Sequence, residues 1–422
     1  MKHKAIVVAL GLAGLIGTQA ARAEVTYSFS GFGTLGATHS DTREADYRGS
    51  ILQPNGPGRS SPTMFGVDTK LGGQAIANLG NGFSATVQVV ADHRADNSYQ
   101  PQFEWANLKY QINDTWYVRA GRVVAPVFMV SDYRNVGYSQ ITVRPPYELY
   151  MLNPITHLDG GDVGAKFDVA GGTLAVQASG GRFKVVVKSR VESPAILVTG
   201  TDRNINLTYE RGASTFRAGF NRTVNDSKSD EIAQLDMLLG YGRLVGYPTP
   251  NADLHHIKAT LLDLGYVYDD GAWIGQAEYV QGRAEGPAVQ DNDAWSAMLG
   301  YRVGKWTPYG AYTRMTSKEP PLRYPPATAD PSSPLYPLLS RLASSINQFD
   351  TMVNTHYQQH TMTLGARWDL FKNVALKAQW DRTFKPSMRP GLNRGAFTHA
   401  TTAFTEGAYT VNLYTMTLDF VF

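Results

Sequence analysis

Three groups of residues in this chain are of types that do chemistry. The glycines of Gly31-Phe32-Gly33-Thr34-Leu35-Gly36 have the spacing of a dinucleotide fingerprint. That fingerprint works only where a strand ends and a helix begins, because the pyrophosphate rests on the helix N-terminus. Here the segment lies inside an alternating strand with no helical pattern behind it, and glycine in such a strand marks bending or close packing. His255-His256 and the pair His356 and His360 suggest a metal. Four-residue spacing unites two ligands only on a helix, and both pairs fall at strand-loop junctions, so no metal is expected. Serine-nucleophile elbows, phosphate loops and zinc-hydrolase signatures are not found, and neither an enzyme nor a cofactor is expected. The third group is a set of charges between about residues 70 and 160, and its meaning depends on the elements that carry it.

The amino terminus is a targeting segment. Lys2 and Lys4 precede an apolar run from Ala5 to Ile16, and Ala21-Arg22-Ala23 gives the small-x-small pattern that a signal peptidase cleaves. The expected organisation is a cleaved signal at 1–23 and one domain over 24–422. The formal charge of the whole chain is +3, and the signal holds Lys2, Lys4 and Arg22 with no acid, so the mature chain is formally neutral. A nucleic-acid partner is therefore not expected. The chain has no cysteine, so an exported fold must hold by backbone bonding and packing alone.

From Val25 to Phe422 the texture has period two. Tyr414, Met416, Leu418, Phe420 and Phe422 alternate with Thr415, Thr417, Asp419 and Val421, and similar rows recur, such as Phe83, Ala85, Val87 and Val89. Apart from two short loop segments, the mature chain shows no amphipathic helix able to cover so many apolar faces. Lipid outside and water inside is the remaining solution, and it demands closure because every backbone group in hydrocarbon needs a partner. Tight turns fall at Gly80-Asn81-Gly82, Asn113-Asp114, Gly171-Gly172, Arg211-Gly212, Asp269-Asp270-Gly271, Gly304-Lys305 and Lys372-Asn373. Longer connections lie between them at about 41–62, 93–102, 124–160, 181–203, 223–255, 282–291, 317–357 and 385–410. Seven hairpins plus a first and a last strand predict an all-β, transmembrane antiparallel barrel of about sixteen strands, with short periplasmic turns and long extracellular loops. Barrels of that size leave an aqueous channel. Trp116, Trp273 and Trp306 just after turns, and Tyr110, Tyr266, Tyr268 and Tyr301 just before them, form the expected interfacial girdle.

Two loops contain helical patterns. Ile232, Leu235, Leu238 and Leu239 follow Ser229 and Asp230, and Leu338, Leu339, Leu342 and Ile346 follow Pro337. Their apolar stripes pack on neighbouring loops, roof the lumen or grip another subunit. The third loop is too long for a simple connection and carries Asp132, Arg134, Arg144, Glu148 and Asp159 among tyrosines, with Pro145-Pro146 stiffening its middle. On the wall, parity opposite to the lipid-facing row places Lys70, Arg94, Lys109 and Arg119 inside.

The signal, the alternating strands, the long third loop after "YVRAGRVVAP" and the final strand "YTMTLDFVF" resemble the trimeric general porins of Gram-negative outer membranes. That resemblance implies passive diffusion of small hydrophilic solutes and ions after Sec-type export. It implies a homotrimer in contact with lipid and lipopolysaccharide, and a third loop folded into the lumen. It further implies that the acids Asp132, Glu148 and Asp159 face the basic wall residues across the narrowest point. The Pro-Glu-Phe-Gly motif of the enteric members is missing from this loop. Tyr414, Leu418, Phe420 and Phe422 occupy the places that the barrel-assembly machinery reads in that family. Gly31, Gly33 and Gly36 are expected to form a smooth outer wall for subunit contact. A substrate-specific channel and a structural or adhesive barrel with a plugged lumen are the competing readings.

Overall fold

The computed structural model describes residues 25–187, 196–228, 230–244, 255–285, 290–318, 330–353, 355–388, 392–393 and 395–422. The expected signal at 1–23 and Ser229 lie outside these residues. The first half of the barrel consists of β1 (Thr26–Ser40), β2 (Lys70–Gly80), β3 (Phe83–Asp92), β4 (Gln102–Gln111), β5 (Trp116–Val124), β6 (His157–Val169), β7 (Gly172–Val187) and β8 (Ile196–Arg211). The second half consists of β9 (Ser214–Lys228), β10 (Ile257–Asp269), β11 (Trp273–Glu285), β12 (Asn292–Tyr301), β13 (Trp306–Ser317), β14 (Gln359–Phe371), β15 (Val374–Lys385) and β16 (Tyr409–Val421). Each pairs antiparallel with the next, and β16 returns to β1 to close the sheet. The two-residue strand Thr63–Met64 adds a short pairing to β1.

All seven predicted turns join hairpins, with left-handed backbone at Asn81 (φ 50°) and Asn373 (φ 68°) where the reversal requires it. The fourth loop is shorter than expected. Ile196, Leu197 and Val198 pair with Val187, Val186 and Val185, so β-branched residues carry β7 and β8 well into the predicted connection.

Parity divides the wall as expected. Phe29, Leu71, Leu207 and Phe216 are exposed on the outside, whereas Thr34, Asp162, Asn204 and Lys377 point inward and are buried. At the periplasmic rim the girdle residues meet as cross-strand pairs: Trp273 with Tyr301 at 4.7 Å, and Trp306 stacked on Trp368 at 4.9 Å. Such pairs contribute about 0.5–1.5 kcal/mol each beyond the area they cover.

Three glycines depart from expectation. A Cβ on Gly31 would stand 2.2 Å from the ring of Phe422, and one on Gly33 would stand 2.4 Å from the ring of Phe420. Both outward glycines are thus covered by aromatics of the chain's own last strand. Gly36 points inward, toward Asp68 and Thr417. None of the three presents a bare outer wall to another subunit.

The two loop helices form where their stripes predict: α1 (Asp230–Leu244) and α2 (Tyr336–Val353) pack on one another, and Leu239, Leu342 and Ile346 are buried. Inside the barrel the extracellular half holds an apolar core. Phe183, Leu261, Val280 and Met315 point inward from the wall and pack against Phe128 and Leu149 of the third loop. Each such side chain contributes about 1.5–3 kcal/mol when fully buried.

Candidate pore constriction

The third loop leaves β5 and runs down into the lumen. Arg217 on β9 donates to the carbonyl of Pro126 at 2.6 Å, and the amide of Met129 donates to Glu278 on β11 at 2.8 Å. The sulfur of Met129 occupies the space over Gly265, where a Cβ would lie 2.3 Å from it. The chain then passes through two 3₁₀ turns, Ser131–Tyr133 and Gly137–Ser139, and reaches the opposite wall. Gly137 fits there because it lacks a side chain: a Cβ would stand 2.2 Å from Asp419 and 2.5 Å from Thr34.

At that wall two cations take up loop carbonyls that have no helix or sheet to bond to. Lys377 on β15 donates to Gly137 at 2.8 Å and to Thr142 at 3.0 Å, while its charge pairs with Asp419 at 3.1 Å. Arg367 on β14 donates to the carbonyls of Tyr138 and Gln140 and lies 4.7 Å over the Tyr138 ring. The loop then rises. Arg144 forms a two-point pair with Asp68 at 2.7 and 2.6 Å and rests on the Tyr47 ring. Glu148 accepts from Gln359 at 2.8 Å and Thr361 at 2.5 Å on β14. Burial raises the pKa of Glu148 above the usual carboxylate range, with the hydrogen bonds from Thr361 and Gln359 opposing the shift. Tyr150 accepts from the Val130 amide at 3.1 Å and lies under Arg134, so the loop's two limbs also hold each other.

On the β4–β6 sector two inward cations stay partly exposed. Lys109 stands opposite Arg119 in register, and both lie over the Tyr117 ring, at 4.8 and 5.4 Å. Arg119 grips Asp162 of β6 at 2.9 and 2.6 Å. Asp132 of the loop is exposed and within electrostatic reach of Arg119 and Arg217.

The candidate residues therefore divide. Asp132 lies within electrostatic reach of Arg217 and Arg119. Glu148 is turned to β14, Arg144 serves as an anchor, and Arg134 backs the loop. Asp159 sits on the outer face, where it pairs with Arg122 at 2.7 Å. Lys70 points inward at the start of β2, opposite Asp92 in register. Arg94 is not on the wall: β3 ends at Asp92, the chain turns through Asn97 (φ 61°), and Arg94 pairs with Asp92 in the second loop. Asp162, Arg217, Glu278, Arg367 and Lys377 also point into the lumen, where the parity rule that places Lys109 inside puts them as well. The glycine fingerprint lies within β1, and His360 is on the outer face, stacked with Phe384 at 4.9 Å.

Among solved structures, the outer-membrane channel DcaP of Acinetobacter baumannii superposes with a TM-score of 0.53 at 10% identity, over 96% of this chain and 100% of that one. OmpF of Salmonella typhi, in complex with daunomycin, gives 0.51 at 12% identity over 94% and 97%. The trimer form of in-vitro folded OmpT of Vibrio cholerae gives 0.50 at 10% identity over 94% and 99%. This chain has the fold of the outer-membrane porins. No protein-family model matches it, and no curated protein does. A porin barrel with an apolar outer belt and an aromatic rim is a multi-pass protein of the Gram-negative outer membrane.

Proposed function

We propose that the protein is a homotrimeric diffusion channel for small hydrophilic solutes and ions, whose narrowest point lies between Asp132 of the third loop and Lys109 and Arg119 of the wall. The observation that carries this reading is the partly exposed Lys109–Arg119 pair, with Asp132, the one third-loop acid not tied to the wall, within electrostatic reach of Arg119. Arg119 is partly offset by Asp162, whereas among the described residues Lys109 and Lys70 have no acid within ion-pair distance, so the transverse field favours anions. Neutralising Arg119 and Lys109 together to Gln tests the reading by reversal potential in a salt gradient at low ionic strength. Selectivity should move toward cations; no shift, or a shift toward anions, would remove these residues from the constriction.

Subunit contact is better supported on β2–β4 than at the covered glycines of β1. Gly73 has open space above it, and Ala75, Ala77, Ala85 and Ala106 share its outward parity on adjoining strands. Cyclic symmetry closes such a contact without leaving an open surface. In detergent the mass should be that of three chains. Outward cations on β5–β9, including Arg122, Arg182, Arg203 and Arg222, suit the phosphates of lipopolysaccharide. Tyr414, Leu418, Phe420 and Phe422 form the outward row that the assembly machinery reads. Deleting Phe422 should lower the heat-modifiable folded fraction more than Thr417→Ala does, and equal yields would leave only lipid contact as its role.

A further inference from the structure

The third loop stands away from part of the wall it crosses. Between it and strands β10–β13 lies a cavity of about 270 Å³, which reaches the periplasmic rim at Asp269 and Ile274. One row of its floor runs across four strands in register: Val267, Gln276, Met298 and Ala311. In the next row Ser296 stands opposite Thr313. Ile141 and Pro145 of the loop form the roof.

The charges that border this space are consumed by the protein. Arg144 is held by Asp68, Glu148 by Gln359 and Thr361, Asp381 by Thr363 and Gln379, and Asp269 by Arg302. The side chains of Gln276, Ser296 and Thr313 are different: among the described residues they have no hydrogen-bond partner. A chamber in which Ile141, Pro145, Val267, Met298 and Ala311 offer apolar contact, Gln276, Ser296 and Thr313 offer unspent neutral donor–acceptor groups, and the bordering charges are paired matches one kind of solute. A cavity of roughly 150 Å³ accepts benzene, so this one accommodates a substituted ring. Neutral polar groups flanked only by charges already paired within the protein reject a charged isostere, because no free counter-charge offsets the lost hydration of an ion.

We infer that the space behind the third loop is a binding site for a small uncharged ring compound bearing a hydroxyl group, separate from the ion path on the other face of the loop. The separation rests on the channel reading above; the site itself does not. Purified full-length trimer is titrated calorimetrically with 4-nitrobenzyl alcohol and with 4-nitrobenzoate, and reversal potentials are recorded in parallel. One alcohol molecule should bind per chain, at least tenfold more tightly than the carboxylate. Ala311→Trp fills the chamber and should abolish alcohol binding while the reversal potential stays put. Thr313→Val, which keeps the shape, should weaken binding severalfold and serves if the tryptophan variant does not fold. Arg119→Gln should shift the reversal potential and leave alcohol binding unchanged. Absent alcohol binding, equal binding of the carboxylate, or binding that survives Thr313→Val and Ala311→Trp but not Arg119→Gln would overturn the assignment. If Arg119→Gln leaves the potential unmoved while the binding pattern holds, the channel reading fails and the site stands.

Discussion

Two sectors of the inner wall carry the same kind of residue at the same parity and put it to opposite use. On β14 and β15, Arg367 and Lys377 are roofed by loop carbonyls, and the Lys377 side chain is 0% exposed. On β4 and β5, Lys109 and Arg119 have an aromatic ring beneath them, and the Arg119 side chain is 24% exposed. A lumenal cation is thus a fastener or a field source according to whether the loop covers it. The backbone of a non-repetitive loop inside a barrel must find donors somewhere, and this chain supplies them from one side and leaves the other side open to solute.

The largest effect should come from breaking the covered side. Lys377→Met strands the Asp419 charge and removes the donor to two carbonyls, so the urea midpoint should fall by the equivalent of about 3–5 kcal/mol. Adding Asp419→Leu should restore most of that loss; a drop below about 1 kcal/mol in the single variant would mean that the lysine is not a fastener. A smaller effect of opposite sign is expected at Glu148. Its pKa is raised in the folded protein, so the ionised form is penalised at neutral pH and the penalty vanishes once the pH falls below the ordinary carboxylate value. Glu148→Gln, which keeps the acceptor oxygen for Gln359 and Thr361, should therefore unfold at higher temperature than the parent at pH 7 to 8. The two melting curves should converge by about pH 4. A difference that grows on acidification would contradict the burial argument. The smallest effect should be at the outer pair: Arg122→Gln with Asp159→Asn should change stability by about 0–1 kcal/mol and leave the reversal potential unaltered. A selectivity change there would put Asp159 back in the lumen.

The strand number, the seven turns and the inward parity of Lys109 and Arg119 were legible because they are local: period two and turn chemistry act within ten residues. The facing of the acids was not. Asp159 lies only three residues from Asp162, but the strand's alternation sends one outside to Arg122 and the other inside to Arg119. The resemblance placed Asp159 on the loop because the start of β6 could not be fixed to within two residues. Glu148 turns from the basic wall because Gln359 and Thr361, more than two hundred positions away, offer it hydrogen bonds. The covered glycines failed for the same reason, since their partners come from the other end of the chain.

That last contact also closes the longest loop in the sheet. Gly31 and Phe422 exchange both backbone hydrogen bonds, at 2.8 and 3.0 Å, and the neighbouring Thr34–Asp419 bond spans 385 positions. Because β1 and β16 close the sheet, the entropy of bringing the two ends together falls on this one seam. Until it closes, both edges expose unpaired amides, which is the state most prone to pair with another chain. Rings seated over glycines on the first strand fit only one register, because a slip by one residue would turn them into the lumen. A barrel closed one residue out of register would therefore lose both ring contacts at once.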